Sequence, residues 1–359
     1  MIIDFIENVL IPHISGLWTL PWILVGFVVT IIIAKFTGRQ RIDAIMKKIG
    51  LILLYFFVPV LIFRIFLNTT FGEPEIIFSI IVCAIILFMY MLAYFYATHL
   101  IKKIPVNKEK SRLFLKTMLT NQGRSSAFIG SMMLAISAWT VPAALYMALV
   151  GIALFAIIPY ILSSMHKKES KESQTKQIKA LPWFLKLYPW YLLAFVIMGI
   201  GIHATTGYTT ETLFGHDAAV LLTLYTAITI PAALYYVGAG IHPTDLKKSE
   251  LRKLIGKDKG GKDDDHWIWV RKIFLLTVLI TPAVILFIFV PLFALSLIPA
   301  AWFSVIIINA VLPITSTNMF LLPYGIDKKS TAHAVTWTTL VCVPLVVALI
   351  LLFSEIGFA

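Results

Sequence analysis

Two short polar segments carry most of the chemistry in this chain. Asn121-Gln122-Gly123-Arg124-Ser125-Ser126 interrupts an apolar run from about 113 to 137, and Pro313-Ile314-Thr315-Ser316-Thr317-Asn318 interrupts another from about 299 to 323. A guanidinium presents a planar fork of donors matched to a carboxylate. Arg124 lies about 11 residues into its run, roughly 17 Å from the edge at helical rise. That depth defeats easy snorkelling and costs about 2.5–3.5 kcal/mol on insertion scales. Gly123 and Pro313 disfavour continuous helix, one by backbone freedom and one by losing its N–H. The freed main-chain groups must face protein or a wet cavity. A half-helix that restarts after such a break offers N–H groups and partial positive charge to an anion. Asn121, Gln122, Gly123, Arg124, Ser125, Ser126, Pro313, Thr315, Ser316 and Asn318 are therefore the candidate binding residues. Two roles are open to Arg124: ligand contact, or capping the carbonyls of a broken helix. The Asn, Ser and Thr side chains either line a site or satisfy local backbone.

The elements that hold these segments are membrane spans. The chain has 359 residues, 59% hydrophobic and 13% charged. Soluble domains carry roughly 25% charged residues, so this composition predicts an integral membrane protein. Met1-Ile2-Ile3-Asp4-Phe5-Ile6-Glu7 lacks a basic leader region and makes a poor secretory signal. Cys83 and Cys342 lie in separate apolar runs without metal-ligand spacing and read as buried free thiols.

Ten apolar runs are long enough to span: 17–34, 49–67, 76–100, 113–137, 140–165, 184–205, 218–241, 267–290, 299–323 and 331–353. The eighth and ninth nearly touch at Phe293–Pro299, and the residues before Leu17 read as an interfacial lead-in. All but two of the 30 basic residues fall in odd-numbered loops, whereas even-numbered loops and both termini carry Asp4, Glu7, Glu73, Glu75, Glu211, Asp217 and Glu355. This is the positive-inside pattern. It predicts a multi-pass plasma-membrane protein with cytoplasmic odd loops and both termini outside. The net charge of +12 is then a topology signal, which removes the case for nucleic-acid binding. The exceptions are Arg64 and Arg124, and no acidic residue lies in the apolar interior of any run.

Five runs per half place the second half upside down relative to the first. The predicted units are 1–165, a cytoplasmic loop at 166–183, and 184–359. Pro59 and Pro231 sit at comparable depths in the second and seventh runs, as the two polar breaks do in the fourth and ninth. Interrupted spans at matching places in two halves point to a transporter site.

Four stretches resemble the auxin efflux carrier family, which includes the plant PIN transporters. They are Val58-Pro59-Val60-Leu61-Ile62-Phe63; Asn121-Gln122-Gly123 with Gly130; Gly238-Ala239-Gly240-Ile241; and Pro313 through Tyr324-Gly325-Ile326-Asp327, followed by Ala332, Thr338 and Pro344-Leu345. The resemblance implies an all-α membrane protein of ten helices in two inverted five-helix repeats. Helices four and nine cross near the midplane. A scaffold of helices one, two, six and seven forms a homodimer, and a transport part moves as an elevator. It implies a small organic anion as substrate and no cofactor. The family's proline after the crossover glycine is replaced here by Arg124-Ser125-Ser126-Ala127, which favours a different or more charged anion than auxin. The related bile-acid/sodium symporters bind sodium with carboxylates and amides, and no acid is present at this crossover.

The remaining polar residues have blander readings. Arg64 snorkels outward from the end of the second run. His333 is a hydrogen-bonded structural histidine rather than a proton carrier. Trp18, Trp22, Trp183 and Trp302 fit an interfacial belt. Asp263-Asp264-Asp265 reads as a solvated loop. No Gly-x-x-x-x-Gly-Lys segment and no nucleophile–base pairing is present, so an enzyme is not expected. The expectation is a secondary transporter exporting a small carboxylate, driven by membrane potential. A sodium- or proton-coupled symporter and a membrane ligand sensor are its rivals.

Overall fold

The computed structural model describes residues 2–14, 19, 21–103, 108–173, 183–257 and 265–358. Trp18, Asp263, Asp264 and most of the loop at 166–183 lie outside the described residues or have undescribed side chains. Among the described residues the regular elements are all helices. Ten are labelled here: α1 (Trp22–Thr37), α2 (Arg39–Leu67), α3 (Glu73–Lys102), α4 (Lys108–Thr120), α5 (Ser137–Met165), α6 (Lys186–Thr206), α7 (His216–Ala239), α8 (His266–Ala294), α9 (Ala300–Val311) and α10 (Lys328–Glu355). By length and composition α2, α3, α5, α6, α7, α8 and α10 can each cross a bilayer. α1 and α9 are shorter apolar helices. The chain is an all-α multi-pass membrane protein. Large apolar side chains such as Phe36, Ile80 and Phe287 stand exposed on the outside, where lipid would cover them. Residues 2–14 of the lead-in are helical and mostly exposed. Trp302, near the start of α9, is partly buried with its ring 5.2 Å from Phe78.

Prolines shape the long helices. Within α2, α5 and α8, a π-helical turn sits immediately before an X-Pro pair: Leu53–Phe57 before Val58-Pro59, Ala153–Ile157 before Ile158-Pro159, and Leu275–Ile280 before Thr281-Pro282. A proline ring clashes with the carbonyl four residues back, and widening the preceding turn relieves that clash. The wide turn also strands a carbonyl. In α8 the Thr281 N–H donates to Leu276 rather than Thr277, and Pro282 has no N–H to offer. The Thr277 carbonyl is therefore left for another donor.

Glycines set the closest helix pairs. A Cβ on Gly238 of α7 would stand 1.8 Å from the Ile23 carbonyl oxygen of α1, and one on Gly26 would stand 2.2 Å from that of Tyr235. Main chain meets main chain there, as small-residue packing in membranes permits. α2 meets α6 more loosely, with a Cβ on Gly199 at 3.0 Å from the Phe63 carbonyl oxygen. Gly50 of α2 leaves the space filled by the Tyr236 phenol of α7.

Near the start of α2, the end of α7 and the start of α10, a polar network joins three elements. Arg39 of α2 donates to Asp43 at 2.9 Å and to the Ala239 carbonyl at 2.9 Å. His242, just after α7, faces Asp43 at 3.6 Å. Asp245 accepts from Thr336 of α10 at 3.2 Å and lies 3.9 Å from His333. His333 also contacts the Lys329 carbonyl at 2.9 Å and the Trp267 ring at 4.9 Å.

Candidate binding site at two broken helices

α4 ends at Thr120 and closes with tight turns, Gln122 N–H to Leu119 and Gly123 N–H to Thr120. α9 ends at Val311, where Pro313 cannot continue the ladder. The chain then extends for a few residues in both places, and the two breaks pair with each other. Ser125 N–H donates to the Pro313 carbonyl at 3.0 Å, and Thr315 N–H to the Gly123 carbonyl at 3.0 Å. Arg124 and Ile314 thus form an antiparallel bridge. Ile314 N–H finds the Thr338 hydroxyl of α10 at 3.2 Å. Each break satisfies main-chain groups that the other frees, which hydrocarbon surroundings demand.

The segments beyond the breaks are not the α-helical halves that the apolar runs predict. Gly130–Ala135 and Ser316–Tyr324 are 3₁₀ helices, the second unusually long at 9 residues. Pro323 and the left-handed Gly325 (φ 72°) end it, and Asp327 caps α10 by accepting from Ser330 N–H at 2.7 Å. Lys116, placed by the charge pattern with a loop, is instead a buried residue of α4.

Arg124 is 2% exposed. Its Nη1 donates to the Leu312 carbonyl at the end of α9, 3.2 Å, and to the stranded Thr277 carbonyl of α8, 3.3 Å. The guanidinium does cap a broken helix, as one of its two open roles required. It is not used up by that: Nε and Nη2 have no partner. Tyr90, Tyr146 and Cys342 are its polar surroundings, and no carboxylate among the described residues pairs with it.

The neighbouring amides are similarly underused. Asn121 donates to Thr117 O at 2.8 Å and to the Thr331 hydroxyl at 3.2 Å, but its Oδ1 accepts nothing. Gln122 and Asn318 are fully enclosed, and neither amide has any partner. Each buried unpaired group costs about 1–3 kcal/mol and needs a reason. Gly123 lets Asn318 in: a Cβ there would stand 2.5 Å from Asn318 Oδ1 and 2.9 Å from Leu154 Cδ1. Ser126 is committed to Asn309 at 2.9 Å, and the Thr315 hydroxyl to that of Thr317 at 2.9 Å. Ser125 is buried beside the bridge, and half-buried Ser316 lies near the Tyr236 phenol.

The bridge brings together the two breaks that hold the ten predicted residues, but of the ten only Arg124 and Thr315 line the adjacent cavity, and the duties of the ten differ. Arg124, Gln122, Asn318 and Asn121 keep free capacity; Ser126 and Thr315 are spent locally; Gly123 and Pro313 shape the backbone. Sequence reasoning missed Thr277, Asn309 and Tyr236. Only Pro282 hinted at the first. A cavity of about 20 Å³ lies against Arg124, Thr315 and Thr317, with Leu54, Gly151 and Tyr188 opposite. It holds about one water molecule. Leu54 of α2, Tyr188 of α6 and several side chains of α5 line it. Arg64 sits half-buried, away from this cluster, near the end of α2. No family model matches the chain, and no curated protein is detectably similar to it.

Proposed function

We propose that the protein is a secondary transporter of small organic anions, of the auxin efflux carrier type. The observation that carries the reading is Arg124: a fully enclosed cation with unpaired Nε and Nη2 and no acidic partner among the described residues. A buried charge without a counterion is costly unless something supplies one. A carboxylate arriving at the crossing of two breaks would fill both fork positions, with Gln122 and Asn318 as further donors. The cavity beside Arg124 is too small for such an anion, so binding requires the site to open, as it does to one side at a time in an alternating-access cycle.

Two features support the inverted-repeat architecture. The broken helices α4 and α9 are fourth and ninth in order. The tight pair α1–α7 and the pair α2–α6 exchange places under a two-fold axis relating helices one to five with six to ten. On this reading α1, α2, α6 and α7 are the scaffold and the dimer-forming part. The others carry the crossing and move as an elevator. The basic loops are cytoplasmic and both termini outside. Export then gains about 2.3 kcal/mol per negative charge per 100 mV.

A coupled variant has one observation in its favour. Thr120 Oγ1, Asn121 Oδ1 and an amide oxygen from Gln122 and Asn318 are buried without donors, a set that a sodium ion could use. Flux in liposomes separates the readings. Labelled carboxylates should move at imposed potential with neither sodium nor a pH gradient. Flux that requires sodium favours the coupled form. Saturable binding without flux would mark a sensor and overturn the transport reading.

A further inference from the structure

We propose a binding site for one anionic phospholipid in the groove between the short helix Lys248–Ile255, α8 and α10. The groove has a volume of about 460 Å³. Its ends differ in chemistry. Arg271 and Lys272 stand at one end; Phe274, Leu275 and Val341 continue along the same two helices toward the middle of the spans. Leu275 and Val341 are exposed at 36% and 41%, so the apolar end opens sideways to the hydrocarbon rather than into the protein. Trp337 forms part of the wall, and its indole N–H has no acceptor.

The short helix completes the arrangement. Lys248, Arg252 and Lys253 occupy it, while Leu251 and Ile255 remain exposed at 39% and 60% and Leu254 faces the groove. Exposed apolar side chains beside lysines and arginines mark a helix lying in a membrane interface. Glu250 neutralises only Lys253, at 3.0 Å. Among the described residues no carboxylate pairs with Arg271 or Lys272. Arg271 is held in place: its guanidinium lies over Gly256, the left-handed residue that ends the short helix, where a Cβ would come within 2.7 Å of Nη1.

Charge complementarity selects the occupant. A neutral lipid fills the apolar end and leaves two cations unmatched, whereas a free anion matches the cations and leaves the apolar end bare. A single molecule with an anionic head and an acyl chain satisfies both, as basic clefts between spanning helices do for acidic lipids. This assignment does not depend on the transport reading.

Native mass spectrometry of the full chain, loaded with equimolar phosphatidylglycerol and phosphatidylcholine, tests it. The protein should retain the anionic lipid about thirtyfold over the neutral one, as expected for two cations near a headgroup. Arg271→Gln with Lys272→Gln should reduce the preference to about twofold. Leu275→Trp, which leaves every charge in place and fills the groove, should lose retention of both lipids. Lys328→Gln with Lys329→Gln, basic residues outside the groove, should change nothing. Equal retention of the two lipids, a preference that survives the Arg271/Lys272 double change or Leu275→Trp, or one lost equally in the Lys328/Lys329 control overturns the proposal. So does complete displacement by millimolar glycerol phosphate, which has the headgroup and no chain.

Discussion

At the scale of the residue, Arg124 separates ligand binding from structural capping. Its two carbonyl contacts and its burial work against each other in stability. Removing the cation relieves a penalty of about 2.5–3.5 kcal/mol while giving up two charge-assisted hydrogen bonds of about 1.5–3 kcal/mol each. Arg124→Gln should therefore lower the melting temperature in detergent only slightly, since glutamine can still donate to one carbonyl. Anion affinity should drop at least about tenfold, the loss of one charged contact. Arg124→Lys should not rescue it, because a lysine cannot hold Leu312 and Thr277 and present a fork at once. Unchanged affinity in a folded Arg124→Gln protein would return the residue to the role of a cap. The polar break was legible in the sequence because a cation, amides and hydroxyls cluster around a glycine inside an apolar run. The acceptor in α8 was not, since a carbonyl leaves no trace in a residue's identity. Only the wide turn ahead of Pro282 exposes Thr277, and a lone proline does not announce a π turn.

At the scale of the element, the glycines decide which helices touch. Gly238 and Gly26 place α7 and α1 main chain to main chain, so a single methyl has nowhere to go. A clash at 1.8 Å with a carbonyl oxygen requires the helices to separate. Gly238→Ala should cost about 1–3 kcal/mol and lower the thermal midpoint, whereas Gly201→Ala, which meets nothing within 4 Å, should leave it unchanged. The apolar runs gave good bounds for α3 and α5 to α8, where length and hydropathy dominate, but missed the first ten residues of α2, which are polar and helical. They misled at α4 and α9, reading 3₁₀ segments as α-helix. Apolar content measures burial, and Gly130–Ala135 and Ser316–Tyr324 are buried in a different geometry. The pairing of Ser125 with Pro313 was equally hidden, because bridge partners so far apart have no periodicity to betray them.

At the scale of the whole molecule, the polar network around His242 ties α2, the segment after α7 and α10 together. His242 titrates below the ordinary histidine range. Burial is the main cause, followed by the Arg39 charge; Asp43 and Asp245 pull the other way, and His333 adds a further push down. The folded state therefore binds fewer protons at this position than the unfolded chain does. Its contribution to stability is complete above about pH 6.5 and falls as the pH drops from there through the depressed value. The melting temperature should decline over that window, and His242→Gln should flatten the decline. A slope identical in the two proteins would assign it to the other groups facing His242.

The bridge between the two breaks also fixes an order of events in biosynthesis. Arg124 and Leu312 are 188 residues apart, so at about 5–20 residues per second the first break leaves the ribosome roughly 10–40 s before its partner exists. During that interval Gly123 O and Ser125 N–H sit in or beside the membrane with no mate. The first half is thereby a client for whatever shelters unfinished spans, and a chain halted before Pro313 should be cleared by quality control even though its apolar helices are already inserted.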